Sequence, residues 1–222
     1  MNETGFFQIN MNGRRADIYL YGNITSYPWR NGDHSAATLV DEIKQLDADE
    51  IHLHIDSLGG SVSEGWGMYN ALMEHPAKIT TYADGFVASA ALYPFLAGDE
   101  RIANSVSAFY LHEVSSYGYG YADDLRKAAA QVEFLTDVGI NAFVDRTGQT
   151  KDAIAQLMKD ETWLTAETAM ELGIATMMQT GKPSAGYTQD VRAQIVQTLT
   201  AGKTPAKPEN KIKKFFAFER SN

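Results

Sequence analysis

From Ile51 to Leu111 the chain alternates short apolar runs with segments of helical period, and this alternation limits the folds open to it. Ile51–Ile55 reads as a strand that ends at Asp56-Ser57-Leu58-Gly59-Gly60. Val62–Met73 follows as a helix that stops near His75-Pro76. Ile79–Ala83 is a second strand, Ala88–Ala97 a second helix and Ser107–Leu111 a third strand. Upstream, residues 14–21 alternate polar and apolar side chains as a half-buried strand does, and Ser35–Leu46 has the spacing of an amphipathic helix with Ser35 as N-cap. Strands alternating with helices through short connections predict an α/β fold with a largely parallel sheet covered by helices.

Ala122–Val144 carries apolar residues at helical spacing over a length that a small sheet cannot cover, so a projecting helix that finds a partner is expected. Lys151–Met158 and Ala166–Leu172 read as shorter helices, the second closed by Gly173. Charge divides the chain. Residues 1–180 hold 11 Lys/Arg against 25 Asp/Glu, while 181–222 hold 8 against 3, which sets the expected boundary between a domain and a basic tail. Within that tail Tyr187–Leu199 could form a helix, 201–214 reads as linker, and Lys213–Phe218 as a docking peptide or a frayed end.

A net charge of −9 argues against nucleic acid as a partner. With no cysteine, disulfides, thiolate metal sites and a cysteine nucleophile are excluded. No apolar stretch is long enough for a membrane span and no secretory signal is visible, so a cytoplasmic protein is expected.

A serine nucleophile needs a base, a group that orients the base, and N–H donors for the oxyanion. Ser89, in Gly85-Phe86-Val87-Ala88-Ser89, lies where a strand gives way to a helix; as an isolated serine it would read as a helix cap. Gly59-Gly60 lets the backbone approach a ligand or simply makes a tight turn. His112 closes an apolar strand and is placed as a general base. His52 and His54 share one face of a strand, a metal-like spacing that lacks a third ligand, and His34 and His75 read as surface residues.

The order of these segments resembles the family of the Clp protease proteolytic subunit, ClpP, over residues 14–178. Asp56-Ser57-Leu58-Gly59-Gly60-Ser61-Val62 is similar to that family's N-S-P-G-G-x-V turn, Gly85–Ser89 to its G-x-A-A-S segment, and Leu111-His112-Glu113 to I-H-Q. The segment Trp163–Gly173 is similar to the F-L-S-A stretch that follows the family's aspartate. Tyr121–Lys127 and Glu161–Ala166 look most like the phage and prophage branch used in head maturation. Departures are Leu58, Ala91, Val114 and Thr176, none of them a reacting group.

The resemblance implies a ClpP/crotonase-like spiral of repeated ββα (βαβ) units with a long handle helix. It implies a serine endopeptidase with Ser89 as nucleophile, His112 as base, and the Gly60 and Ala90 amides as the oxyanion hole. The third member falls on Glu161 by ungapped counting, with Asp160 one residue earlier as the alternative. No cofactor or metal is implied. The implied assembly is a homo-oligomeric ring, a heptamer or double ring, acting on polypeptides such as capsid or scaffold proteins. The residues ahead of the first strand do not resemble the loops that engage an ATPase unfoldase, so that partner is not expected. A silent ring-forming homologue and a crotonase-class acyl-CoA enzyme are the rival readings.

Overall fold

The computed structural model describes residues 7–25 and 36–180. His34, Ser35 and all of the expected tail elements from 181 onward lie outside the described residues.

The expected alternation is present, with strands β1 (Phe7–Asn12), β2 (Arg15–Ile24), β3 (Glu50–Gly60) and β4 (Lys78–Ala88) in the first half. Strands β5 (Glu100–Asn104), β6 (Ala108–Leu111), β7 (Thr162–Thr165) and β8 (Met177–Gln179) complete one eight-stranded sheet. Its main path runs β1-β2-β3-β4-β5-β8, and β6 branches from β4 to pair with β7. The pairs β2–β3, β3–β4, β4–β5, β4–β6 and β5–β8 are parallel, whereas β1–β2 and β6–β7 are antiparallel. The helices are α1 (Ala36–Gln45), α2 (Val62–Glu74), α3 (Leu92–Leu96), α4 (Ala122–Thr147), α5 (Lys151–Lys159) and α6 (Ala166–Glu171).

Period-two alternation decides which face is covered. Ala16, Ile18 and Leu20 of β2 and Ile51, Leu53 and Ile55 of β3 are buried, in register with one another. Leu39 and Ile43 of α1 and Met68 and Leu72 of α2 join the same core. Each such side chain, fully withdrawn from water, contributes about 1.5–3 kcal/mol. All five residues of α3 are buried, so this helix is central.

Three features differ from the sequence expectations. First, β3 and β4 do not stop at their apolar runs; each continues past a register shift, between Ile55 and Ser57 in the β3–β4 pairing, to Gly60 and Ala88. The shift re-aims the strands, as bulges do. The first half of β4 pairs with β5 through Thr80–Ala83, and its second half with β6 through Phe86–Ala88. Second, the helix expected over 88–97 is a 3-10 turn, Ser89–Ala91, that leads into α3. Third, β1, β5, β7 and β8 join the sheet although their short or polar sequences carry little strand signal. The β1–β2 hairpin had a readable cue in Asn12-Gly13, since Gly13 takes φ 62° in the two-residue turn.

Helix α4 runs 26 residues and ends on Gly148 in the left-handed conformation. Its buried residues, Gly139, Ile140 and Phe143, all lie in its C-terminal half. Gly139 permits close contact with α3, because a Cβ there would stand 2.2 Å from the Tyr93 hydroxyl. No helix among the described residues is long and apolar enough to cross a membrane.

Candidate active site

The branching of the sheet brings three separate stretches of sequence side by side. β3 and β6 flank the second half of β4, and all three are parallel, so their carboxyl ends open on the same edge. Gly60 ends β3, Ser89 follows β4 and His112 follows β6. The register continues this logic on the far side. Tyr110 pairs with Trp163 and Leu111 with Thr162, so the next antiparallel position sets Glu161 opposite His112.

The His112 Nε2 and the Ser89 Oγ are 2.7 Å apart, the distance of a good hydrogen bond. Ser89 has φ 55°, a region that side-chain-bearing residues enter at a cost of order 1–3 kcal/mol. The turn is held from several sides. Asp56 Oδ1 accepts a 2.9 Å bond from the Phe86 amide, anchoring the approach of β4. Ser57, itself buried, donates to the Gly22 carbonyl and accepts from the Gly59 amide at 3.1 Å.

The glycine pair is required by close approach. A Cβ on Gly59 would lie 2.7 Å from the Ser89 Cβ, and one on Gly60, where φ is 144°, would lie 2.1 Å from the Ile24 carbonyl oxygen. Gly60, Ser89, Ala90 and His112 line one cleft. Val62, Leu92, Tyr93, Leu111, Phe143 and Met158 give that cleft an apolar wall, and Glu113 lies at it as an exposed carboxylate. A hydrogen-bonded Ser–His pair on a cleft is equipped for nucleophilic acyl transfer.

The acidic candidates occupy different surroundings. Asp160 caps α5 and accepts a 2.8 Å bond from Gln156 Nε2. Glu161 takes φ 50° in the turn before β7. Burial first, then the Glu161 charge, holds the Tyr110 phenol above its ordinary range. Among the described residues the hydrogen bond to Ser89 is the polar contact His112 makes; neither carboxylate pairs with it. The His112 ring stacks instead on Tyr110, with centroids 5.2 Å apart and planes at 27°. Sequence reasoning passed over Tyr110; its position two residues before His112, on the same face of the strand, was the available signal.

The remaining histidines fall outside the cleft. His54 Nδ1 lies 2.8 Å from Asp84 Oδ2 and stacks between Tyr19 and Tyr82, and His52 Nδ1 lies 2.8 Å from the Tyr82 hydroxyl. No cluster of three or more potential metal ligands occurs among the described residues. His75 closes α2 and contacts the Leu46 carbonyl at 3.1 Å.

Both the sequence and the fold have known relatives. Residues 13–181 match the family described as Clp protease. The ATP-dependent Clp protease proteolytic subunit 3 of Rhizobium meliloti is 28% identical over 168 residues, covering 73% of this chain and 83% of that protein. The ATP-dependent Clp protease proteolytic subunit of Dehalococcoides mccartyi is 29% identical over 148 residues, covering 64% and 74%. The fold is similar to that of a ClpP1 mutant from Listeria monocytogenes, with a TM-score of 0.61 at 17% identity over 76% of this chain and 92% of the other. By the match that spans residues 13–181, this chain belongs to the Clp protease family of serine peptidases.

Proposed function

We propose that this chain is a serine endopeptidase that cleaves peptide bonds through an acyl-enzyme, with Ser89 as nucleophile and His112 as general base. The observation that carries the reading is the 2.7 Å contact between the Ser89 Oγ and the His112 Nε2 at a strained turn. His112 takes the Ser89 proton as Oγ bonds to the carbonyl carbon, and returns it to the leaving amine as the C–N bond breaks. Water, activated by the same imidazole, then attacks the ester and frees Ser89. The Gly60 and Ala90 amides stabilise the oxyanion in both halves, a contribution of about 3–4 kcal/mol per donor in comparable sites.

The acid is Glu161, with Asp160 as the alternative; the register that continues from Leu111–Thr162 favours Glu161. A carboxylate that has not closed on His112 is consistent with a site completed on assembly. The corresponding assembly is a homo-oligomeric ring, of seven subunits or two such rings, with its sites facing an enclosed chamber in the cytoplasm of a bacterial or phage-infected cell. The phage-like segments Tyr121–Lys127 and Glu161–Ala166 support capsid or scaffold polypeptides as substrates, and the basic residues of 181–222 suit an acidic partner surface.

An active-site fluorophosphonate probe tests the chemistry directly. The full-length protein should label, Ser89→Ala should not, and Ser105→Ala should label as the parent does. Absence of label on a folded, assembled sample would overturn the reading, as would label that persists in Ser89→Ala.

A further inference from the structure

We infer that Tyr110 is a positioning residue for the reaction, holding the His112 imidazole by its ring. The inference rests on the Ser89–His112 reading above and names a side chain that reading leaves unused.

Three contacts carry it. The Tyr110 and His112 rings stack at 5.2 Å and 27°, on the face of the imidazole that packing can hold while Nε2 reaches Ser89. The other side of Tyr110 is held in turn by Trp163, stacked at 4.4 Å and 23°, and Trp163 meets Phe86 edge-on at 6.1 Å. The imidazole is therefore the end of an aromatic row that runs across β6, β7 and β4. The β6–β7 register brings Glu161 opposite His112, at the end of the same row.

Other groups that bear on the imidazole are few. Tyr93 of α3 and Glu113 of its own strand end line the same cleft, and Asp160 precedes Glu161 in the turn before β7. From α4 come Phe143, and Thr136, whose hydroxyl accepts the Val114 amide at 2.9 Å.

The consequence falls on turnover. An imidazole that loses the stack is free to swing off the Ser89 Oγ, so kcat falls while KM stays.

The test is steady-state kinetics on a peptide substrate for the full chain, Tyr110→Phe and Tyr110→Leu. Tyr110→Leu, which loses the stack, should lower kcat about tenfold or more with KM within about twofold, and Tyr110→Phe, which keeps the ring, should recover most of that loss. NMR of the His112 ring protons in Ser89→Ala, with and without Tyr110→Leu, reads the stack without turnover, since those protons should shift when the ring that shields them is removed. If the parent neither labels nor hydrolyses, the peptidase reading fails, and the ring-proton shift still decides the role of Tyr110. Unmoved His112 ring protons, or a Tyr110→Leu variant with parental kcat, would overturn the inference.

Discussion

Ser89 sits in a backbone conformation that most residues avoid, and the side chains around it explain why it can stay there. Gly59 presses against it with no room for a methyl group, while Asp56 and Ser57 fix the strands on either side. Gly60 bears the same constraint more severely. Gly60→Ala would drive a Cβ to 2.1 Å from the Ile24 carbonyl at φ 144°, so we expect a loss of about 2–3 kcal/mol. Activity should fall about a hundredfold or more as the amide is displaced from the oxyanion position. Urea melts and turnover on one preparation check both. Ser89, His112 and Gly60 could be singled out in the sequence because each stands where an element ends and their order resembles that of one family. Glu161 against Asp160 was not, because the choice depends on a turn residue at φ 50° that counting cannot see. Tyr110 was hidden for another reason: within Ala108–Leu111 it reads as one more strand residue.

Among the elements, β5 shows how a polar residue can conceal a buried strand. Arg101 is 5% exposed, and no carboxylate among the described residues pairs with its guanidinium. Its guanidinium donates to carbonyls at helix ends instead: Gly98 after α3, Arg146 near the end of α4, and Gly173 and Ile174 after α6. Arg146 repeats the device with bonds to Leu96 and Gly98. Helix carboxyl ends carry partial negative charge, so the pair of arginines ties three helices and a strand together. A lysine cannot reproduce this planar fork. Arg101→Lys should therefore destabilise the domain by about 2–4 kcal/mol, measured as a lower urea midpoint with an unchanged slope. An unchanged midpoint would show the carbonyls to be satisfied by other means. The core strands β2, β3 and β4 were readable because their alternation is regular. Their extensions past residues 55 and 83 were not, since a register shift leaves no mark on composition.

For the molecule as a whole, α4 carries a surface that its own domain leaves uncovered. Phe134 is 66% exposed and Val138, one turn on, 38%, which gives the helix an apolar stripe that its own domain leaves uncovered. If that stripe joins subunits, Phe134→Glu should shift the sedimentation profile toward smaller species while leaving the monomer's melting temperature within about 2 °C. A profile identical to the parent's would place the contact elsewhere. The largely parallel sheet and the long helix were both apparent in the sequence, because each rests on a long periodic pattern.

The contact between Gly139 and Tyr93 has a mechanical side. A 26-residue helix is about 39 Å long, and α4 is clamped over its C-terminal half only, on the helix that follows the nucleophile. It is a cantilever. Phe143 at the clamped end and Tyr93 beneath it are also walls of the cleft, so a load on the free end bears on the place where a substrate side chain would rest. In this geometry the cleft wall and the uncovered half of α4 are two ends of one lever.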